Sequence, residues 1–538
     1  MKSWMMFRLA AAALFAALLS ACGAEGEADF AGADGDMDAD MDTDADTDMD
    51  GDTDADGDTD ADGDTDTDPE QEEDADYMVP EGSGRYVFIA DTAHDAVAVV
   101  DSETLLIEVV EVGARPTQLV ALGEDSEAAV INLDSDDVSI LRVGEDGAAT
   151  ATDVDVRPDT NAIVGSDGGA FLVAYYDAHF AEWSGPPGTD QEITVIVTAA
   201  GEELAYHMTV GMHPQRVLFN ADATRAFVIN NEGINVIDLE DLDSVGIPPL
   251  VEMFDPVAVD PETWEIAIDP DGQTALGYYQ GGADIMTAAL DGTGDVRTYT
   301  LDGPPTDLDI SPDGTFGMFV LREQNEIALF DLPLPADPLV DPFIYVSVGS
   351  LICGVATIAP DGATVLLYTT TGGGDQDQRV LTAMTRDGDA WELSSALLER
   401  KIKSVAASPD SGTVVAMHQE IAPSAGEQPF AYSLVKLPEL QIKFQQVAVE
   451  PGQLLLTPDG DYGFTLLRDD DDGLKETQIM DLSTFIVDGL DLGSPPTALG
   501  YASGTNSVFI AQDHPAGRMT FIDLDDMSVQ TVTGYALN

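Results

Sequence analysis

One plan recurs ten times along this chain, and no other feature limits the fold so tightly. A clear copy runs from Gly303 to Phe330, GPPTDLDISPDGTFGMFVLREQNEIALF. A proline-containing corner leads into a short alternating strand, Asp307–Ile310. A Ser-Pro-Asp-Gly turn follows, then the apolar strand Phe316–Leu321, a polar loop and a further strand through Ala328–Asp331. Residues marking the turn after the first strand stand at Glu81, Asp125, Asp167, Asp222, Asp271, Asp313, Asp361, Asp410, Asp459 and Ser503. Neighbouring markers are 42 to 55 residues apart. The Asp-Gly pairs suit tight connections between strands.

A period in the forties, with four short strands per unit and no helical pattern, implies an all-β fold built of blades. FGMFVL carries apolar side chains on both faces of its small sheet, which one unit cannot bury alone. Neighbouring units must therefore stack around an axis. The expectation is a single β-propeller of four-stranded blades over residues 78–538, with about ten units counted and a ring of 7–10 blades.

Tyr86–Leu122, YVFIADTAHDAVAVVDSETLLIEVVEVGARPTQLVAL, resembles the YVTN family of β-propeller repeats, also seen in lactonase-like propellers. Val97–Asp101 matches its V-x-V-[IV]-D strand and Val112–Pro116 its Val-Gly-x-x-Pro corner, while Gly233–Leu242 and Arg518–Met527 repeat the third strand. The resemblance covers about 460 residues. It implies the propeller fold and, for function, a scaffold. Lactonase-like relatives use acidic and His or Arg residues in the channel, but no motif here carries those roles residue by residue.

The chain opens with a different kind of sequence. Residues 1–22 read as a signal peptide, with Lys2 and Arg8 ahead of the apolar run Leu9–Leu19, which is too short for a bilayer span. Leu19-Ser20-Ala21-Cys22 resembles the lipobox of bacterial lipoproteins, which implies lipidation of Cys22. Gly23 rather than Asp follows, so in a Gram-negative cell the resemblance implies the outer membrane, at its periplasmic face or the surface. Membrane contact is then through the lipid anchor alone.

Residues 23–77 read as a disordered acidic tether. Every even-numbered residue from Asp34 to Asp68 is Asp. As a strand these would stack on one face and repel, so the segment should stretch instead. Three DxDxDG hexads offer hard oxygen ligands: Asp46, Asp48 and Asp50; Asp52, Asp54 and Asp56; Asp58, Asp60 and Asp62. They resemble the first half of EF-hand, dockerin and thrombospondin type 3 calcium loops. Gly57, Gly63 and Pro69 stand where an EF-hand places its bidentate Glu, so the expectation is weak, diffuse Ca²⁺ binding beside the plainer reading of a solvated spacer.

Charge bounds the partners. The chain has 102 acidic against 20 basic residues, which repels nucleic acid and anionic lipid and favours cations or basic partners. Salt adaptation and simple solubility both account for it. Cys353, in an apolar strand, reads as a small buried hydrophobe, and no disulfide is expected.

Chemistry in such a ring belongs to one mouth of its channel, lined by loops between second and third strands. Those loops begin near Asp91, Asn132, Tyr176, Asn230, Tyr279, Arg322, Thr370, His418, Arg468 and Gln512, and they vary from unit to unit. Binding candidates are Asp91, His94, Tyr175, Tyr176, His179, Trp183, Arg322, His418 and Arg468. The third unit has the longest such loop, rich in aromatic residues that suit a sugar, peptide or protein contact, or a lid over the rim. His94, His179 and His418 beside Asp91 could meet a metal only if the ring brings them together. No HExxH, GxSxG, CxxCH or phosphate-cradling glycine loop is present. No catalytic residue is assigned, and no cofactor beyond weak Ca²⁺. The reading is a monomeric, non-enzymatic scaffold in the bacterial cell envelope for a protein, glycan or cation, the alternative being a lactonase-like hydrolase with metal and carboxylates in the channel.

Overall fold

In a computed structural model, the described residues are 79–535, apart from 124–125, 178–190, 245, 350–352, 371–376, 388–389 and 470–472. They form ten antiparallel sheets of four strands, each in the simple order one-two-three-four. The blades run Glu81–Glu111, Pro116–Asp155, Ala162–Thr209, Arg216–Val251 and Trp264–Thr300, then Asp307–Ser347, Val355–Leu397, Ile402–Val447, Leu454–Asp491 and Pro496–Thr533. They are numbered blade 1 to blade 10, and their first strands are the inner ones. Ten blades, the upper end of the expected range, make an all-β propeller larger than the usual four to eight.

The register shows why the strands read as continuous apolar runs. All six residues of Phe316–Leu321 are buried. Phe316, Met318 and Val320 enter the core shared with blade 7, while Phe319 and Leu321 enter the core shared with blade 5. Successive side chains leave opposite faces of a strand, and here both faces meet a neighbour. The described residues form ten apolar cores, each spanning one pair of adjacent blades.

One of those cores closes the ring. It joins Val87, Ile89, Ala98 and Val100 of blade 1 to Phe509, Met519 and Phe521 of blade 10. Blade 10 is built wholly from the end of the chain and blade 1 from a strand near the described start, so no strand is exchanged. The Gly504 amide donates to the Gly84 carbonyl at 2.8 Å, and Ser102 Oγ lies 2.7 Å from Thr505 Oγ1. The seam requires glycine, since a Cβ at Gly82 would stand 2.4 Å from the Tyr501 carbonyl oxygen.

Most turn markers fall where expected, with Asp271, Asp313, Asp361, Asp410 and Asp459 between first and second strands. Glu81 does not. It begins the inner strand Glu81–Ser83, and the blade 1 turn is Gly84–Arg85, where Gly84 supplies the positive φ of 57°. Asp125 lies outside the described residues, as do Cys22 and Asp46, Asp48, Asp50, Asp52, Asp54, Asp56, Asp58, Asp60 and Asp62. Cys353 is buried and free, its thiol pushed up to about 12 by burial.

Candidate functional site

Antiparallel order places the loops between second and third strands on one face of the ring, with the corners linking each blade to the next. Thr92 Oγ1 donates to the Pro116 carbonyl at 2.8 Å, and the Arg115 amide donates to Asp95 Oδ1 at 2.7 Å. Both contacts join a loop of blade 1 to the corner entering blade 2. The candidate residues that are described belong to this face, and the structure sorts them by what they touch.

Asp91 ends its strand 2% exposed. Its Oδ1 accepts the Ala93 amide at 3.1 Å, and its Oδ2 lies 2.9 Å from His94 Nδ1. His418 is 4% exposed, with Nε2 at 2.7 Å from Ser433 Oγ and Nδ1 at 3.2 Å from the Lys401 carbonyl. A carbonyl only accepts, so Nδ1 carries the proton and Nε2 accepts from the serine. Burial pushes this imidazole down to about 4, which keeps it neutral.

Tyr175 is buried, and burial raises its phenol well above the ordinary range. Tyr176 and Arg322 are half-buried; a Cβ at Gly354 would lie 3.2 Å from Arg322 Nη1. Arg468 is exposed, and its Nη2 pairs with Asp513 Oδ2 of the next blade at 2.9 Å. His179 and Trp183 lie outside the described residues. Of the histidines and aspartate considered for a metal, only Asp91 and His94 are seen to meet. The described residues hold no group of three or more His, Cys, Asp or Glu arranged for a metal ion.

The buried polar residues of this face form a latch repeated in several blades. The third residue of the third strand is Ser139 in blade 2, Thr194 in blade 3 and Asn235 in blade 4. Each accepts a backbone amide from the corner arriving from the preceding blade: Gly113 at 3.2 Å, Arg157 at 3.1 Å and Gly211 at 2.8 Å. In blade 10 the same task falls to Gln512, the last residue of the second strand, which accepts the Ser494 amide at 3.0 Å and donates to Thr520, the third residue of the third strand. A corner held under the loops would otherwise leave its N–H groups without partners. Sequence reasoning missed this latch, although a polar residue at one fixed place in apolar strands was a readable signal.

A second missed feature lies on the opposite face. A cavity of about 210 Å³ opens between blades 6 and 7, lined by Phe316, Phe330, Pro333, Pro335, Pro342 and Trp391 among others. Arg386 and Asp331, 3.6 Å apart, share its lining.

The inner strands carry a third. Gln118 Oε1 of blade 2 accepts the Ile163 amide of blade 3 at 2.9 Å, and the Gln453 amide of blade 9 clasps both the N–H and the carbonyl of Leu499 in blade 10 at 2.8 Å. Arg216 of blade 4 donates to the Ile266 carbonyl of blade 5. Glu265 accepts the Leu308 amide at 3.2 Å, Asp307 the Ala356 amide at 2.7 Å and Asp309 the Ile358 amide at 2.7 Å. Inner strands are sheet edges with unpaired backbone groups, and each of these side chains supplies partners to the next edge.

No family model matches this chain, and no curated protein matches it. Solved structures similar to it include a eukaryotic initiation factor, with a TM-score of 0.45 and 11% identity over 77% of this chain and all of that one. Dihydro-heme d1 dehydrogenase NirN in complex with DHE is similar at a TM-score of 0.40 and 12% identity, over 64% of this chain and 71% of that one. The Cps50 (Swd1) β-propeller domain of Myceliophteria thermophila is similar at a TM-score of 0.32 and 11% identity, over 60% and 97%. Such distant overlaps carry no argument about activity. The assignment as a propeller rests on the chain's own ten sheets and ten shared cores.

Proposed function

We propose that the ring is a non-enzymatic binding scaffold. It is held at the bacterial cell envelope by a lipid on Cys22 and spaced from the membrane by the acidic segment 23–77. Its partner is a protein, a glycan or a cation, met by the loop face. The observation that carries this reading is the engagement of His418. The histidine best placed for chemistry has both ring nitrogens bonded inside its own blade. Asp91 is likewise turned onto its own loop. What the face offers a partner is its variable outer groups, among them His94, Tyr176, Arg322 and Arg468.

The YVTN-type and lactonase-like resemblance gives the alternative, a hydrolase using channel carboxylates and a metal. The channel wall does carry Glu265, Asp307 and Asp309, but each already binds a backbone amide of the next blade. Two measurements on the purified chain separate the readings. Capture of a specific protein or glycan, with no retained stoichiometric metal and no opening of simple lactones, is the expected result. Retained metal together with lactone opening would replace the scaffold by the hydrolase.

A further inference from the structure

The outer strands of blades 6 and 7 border a groove that the packing leaves open. In blade 6, Ile344 and Val346 pair with Leu329 and Ile327, and in blade 7 Leu393 pairs with Met384. Directly paired residues share one face of a sheet, and Leu329, Ile327 and Met384 all enter the core between these two blades. Ile344 and Val346 therefore face Leu393 across the groove. Trp391, two residues earlier on its strand, lies on the same face as Leu393. Ile344 and Trp391 carry the groove into the cavity of about 210 Å³.

Apolar side chains crowd this place. Of sixteen large apolar side chains exposed among the described residues, five border the groove or the loop beside it: Leu339, Val340, Ile344, Leu393 and Leu397. Scattered singly such residues need no explanation, but a cluster marks a contact surface. The wall is also held in place. In the loop 332–343 the Pro335 carbonyl accepts the Tyr299 hydroxyl. Asp337 Oδ1 accepts the Leu339 amide at 3.0 Å, and Asp341 Oδ1 accepts the Phe343 amide at 3.0 Å. A site already held in shape needs little further ordering when it is filled.

The lining selects what fits. Eight of its ten residues are apolar, while Asp331 and Arg386 supply opposite charges 3.6 Å apart, beyond a direct hydrogen bond. Arg386 opposes a cation there and Asp331 an anion, so the matching group is neutral. A sugar ring in so apolar a space would leave hydroxyls without partners. A peptide residue asks for less, one acceptor for its N–H and one donor for its C=O. The Asp331 carboxylate and the Arg386 guanidinium are one of each. The volume is below the roughly 300–1,000 Å³ of sites for drug-sized molecules, which suits a single side chain. One large side chain seated in a pocket is a common anchor of protein contacts.

We propose that this groove docks a neutral peptide segment of a protein partner, with one large apolar side chain seated in the cavity and its own peptide groups on Asp331 and Arg386. The site lies on the face opposite the loops, so it does not rest on the loop-face reading.

The test uses capped amino acids as the smallest part of such a partner. N-acetyl-leucinamide and N-acetyl-phenylalaninamide should bind the full chain saturably in NMR titrations, at the roughly millimolar level expected of molecules so small. N-acetyl-glycinamide lacks the side chain and should bind weaker by about ten-fold or more. Ile344→Lys and Asp331→Ala change exposed side chains and should melt like the parent. The first should lose about ten-fold or more in affinity for the two apolar amides, and the second several-fold. If Ile344→Lys does not fold, Leu393→Lys on the other wall takes its place. Equal binding of all three amides overturns the proposal, as does unchanged affinity in both variants. Tighter binding of methyl glucoside than of either apolar amide would make the cavity a sugar site. A parent that dimerises in sedimentation while Ile344→Lys stays monomeric would give the groove to a second copy. Either of these results overturns the assignment to a partner's peptide.

Discussion

The seam between blades 10 and 1 and the arc from blade 5 to blade 7 join neighbouring blades in different ways. At the seam, backbone meets backbone through Gly504 and Gly84, with Gly82 clearing space for the Tyr501 carbonyl. Along the arc, side chains reach across instead, and three of them are acids. The seam must join segments about 400 residues apart, such as Ser102 and Thr505, whereas other neighbours are about 45 apart. Loop-closure entropy grows only logarithmically, so the longer span adds about 2 kcal/mol. Burying one large apolar side chain offsets a term of that size. The seam can therefore close by packing alone, without the strand exchange that would lock it.

Removing that packing should produce the largest effect. Phe509 is 1% exposed and fills the space beside Gly82 and Gly500. Phe509→Ala should lower stability by about 3–5 kcal/mol, at the upper end because the glycines leave no side-chain atoms to collapse inward. Phe319→Ala is the matching change in the arc, where Tyr278, Phe330 and Phe343 surround the ring at 5.3 to 6.4 Å. Its loss should fall at the lower end of the same range. Urea unfolding of both variants checks the order, and a seam loss below the arc loss would show that closure rests on something other than this core. Next in size is Gly82→Ala, expected to destabilise by about 1–3 kcal/mol through overpacking against backbone that cannot move aside.

The sequence discloses the seam's neighbours better than its mechanism. FGMFVL and its counterparts state that both blade faces are covered, and Asp313 with Gly314 states where the chain turns. Glu81 misleads because Gly82, a seam glycine, imitates a turn glycine. The clasps are hidden for a physical reason. Asp307 and Asp309 look like solvated residues of an alternating strand, and only the pairing with the next blade shows that their oxygens hold Ala356 and Ile358. His418 is hidden in the same way, since a histidine at a loop start looks available until Ser433 and Lys401 are found bonded to it.

That histidine gives the fold a pH dependence of its own. Its folded value near 4 lies below the ordinary value of 6.5, so it binds fewer protons when folded, and stability rises with pH between about 4 and 6.5. His418→Gln removes the titrating group and leaves an amide able to bond Ser433. It should lower stability by about 1–2 kcal/mol near neutrality. From about pH 5 to pH 8 the variant should then gain less stability than the parent, because the histidine's rising contribution is gone. Melting curves at both pH values check this, and a variant that gains as much stability as the parent over that range would mean that His418 keeps its proton in the folded ring.

The smallest expected effect separates architecture from recognition. Arg468 bridges blades 9 and 10 at the loop face, but its pair with Asp513 is exposed on both sides. Water and salt screen such a pair, so Arg468→Ala should change stability by no more than about 1 kcal/mol. Screening does not apply in the same way once a partner covers the guanidinium, because the charge is then desolvated and its hydrogen bonds become hard to replace. If the loop face is the binding face, the variant should melt like the parent and yet lose at least several-fold in capture of the partner. A variant that melts like the parent and captures like the parent would remove Arg468 from the binding surface. It would leave the cavity between blades 6 and 7, with Trp391 and Arg386 in its lining, as the next surface to probe.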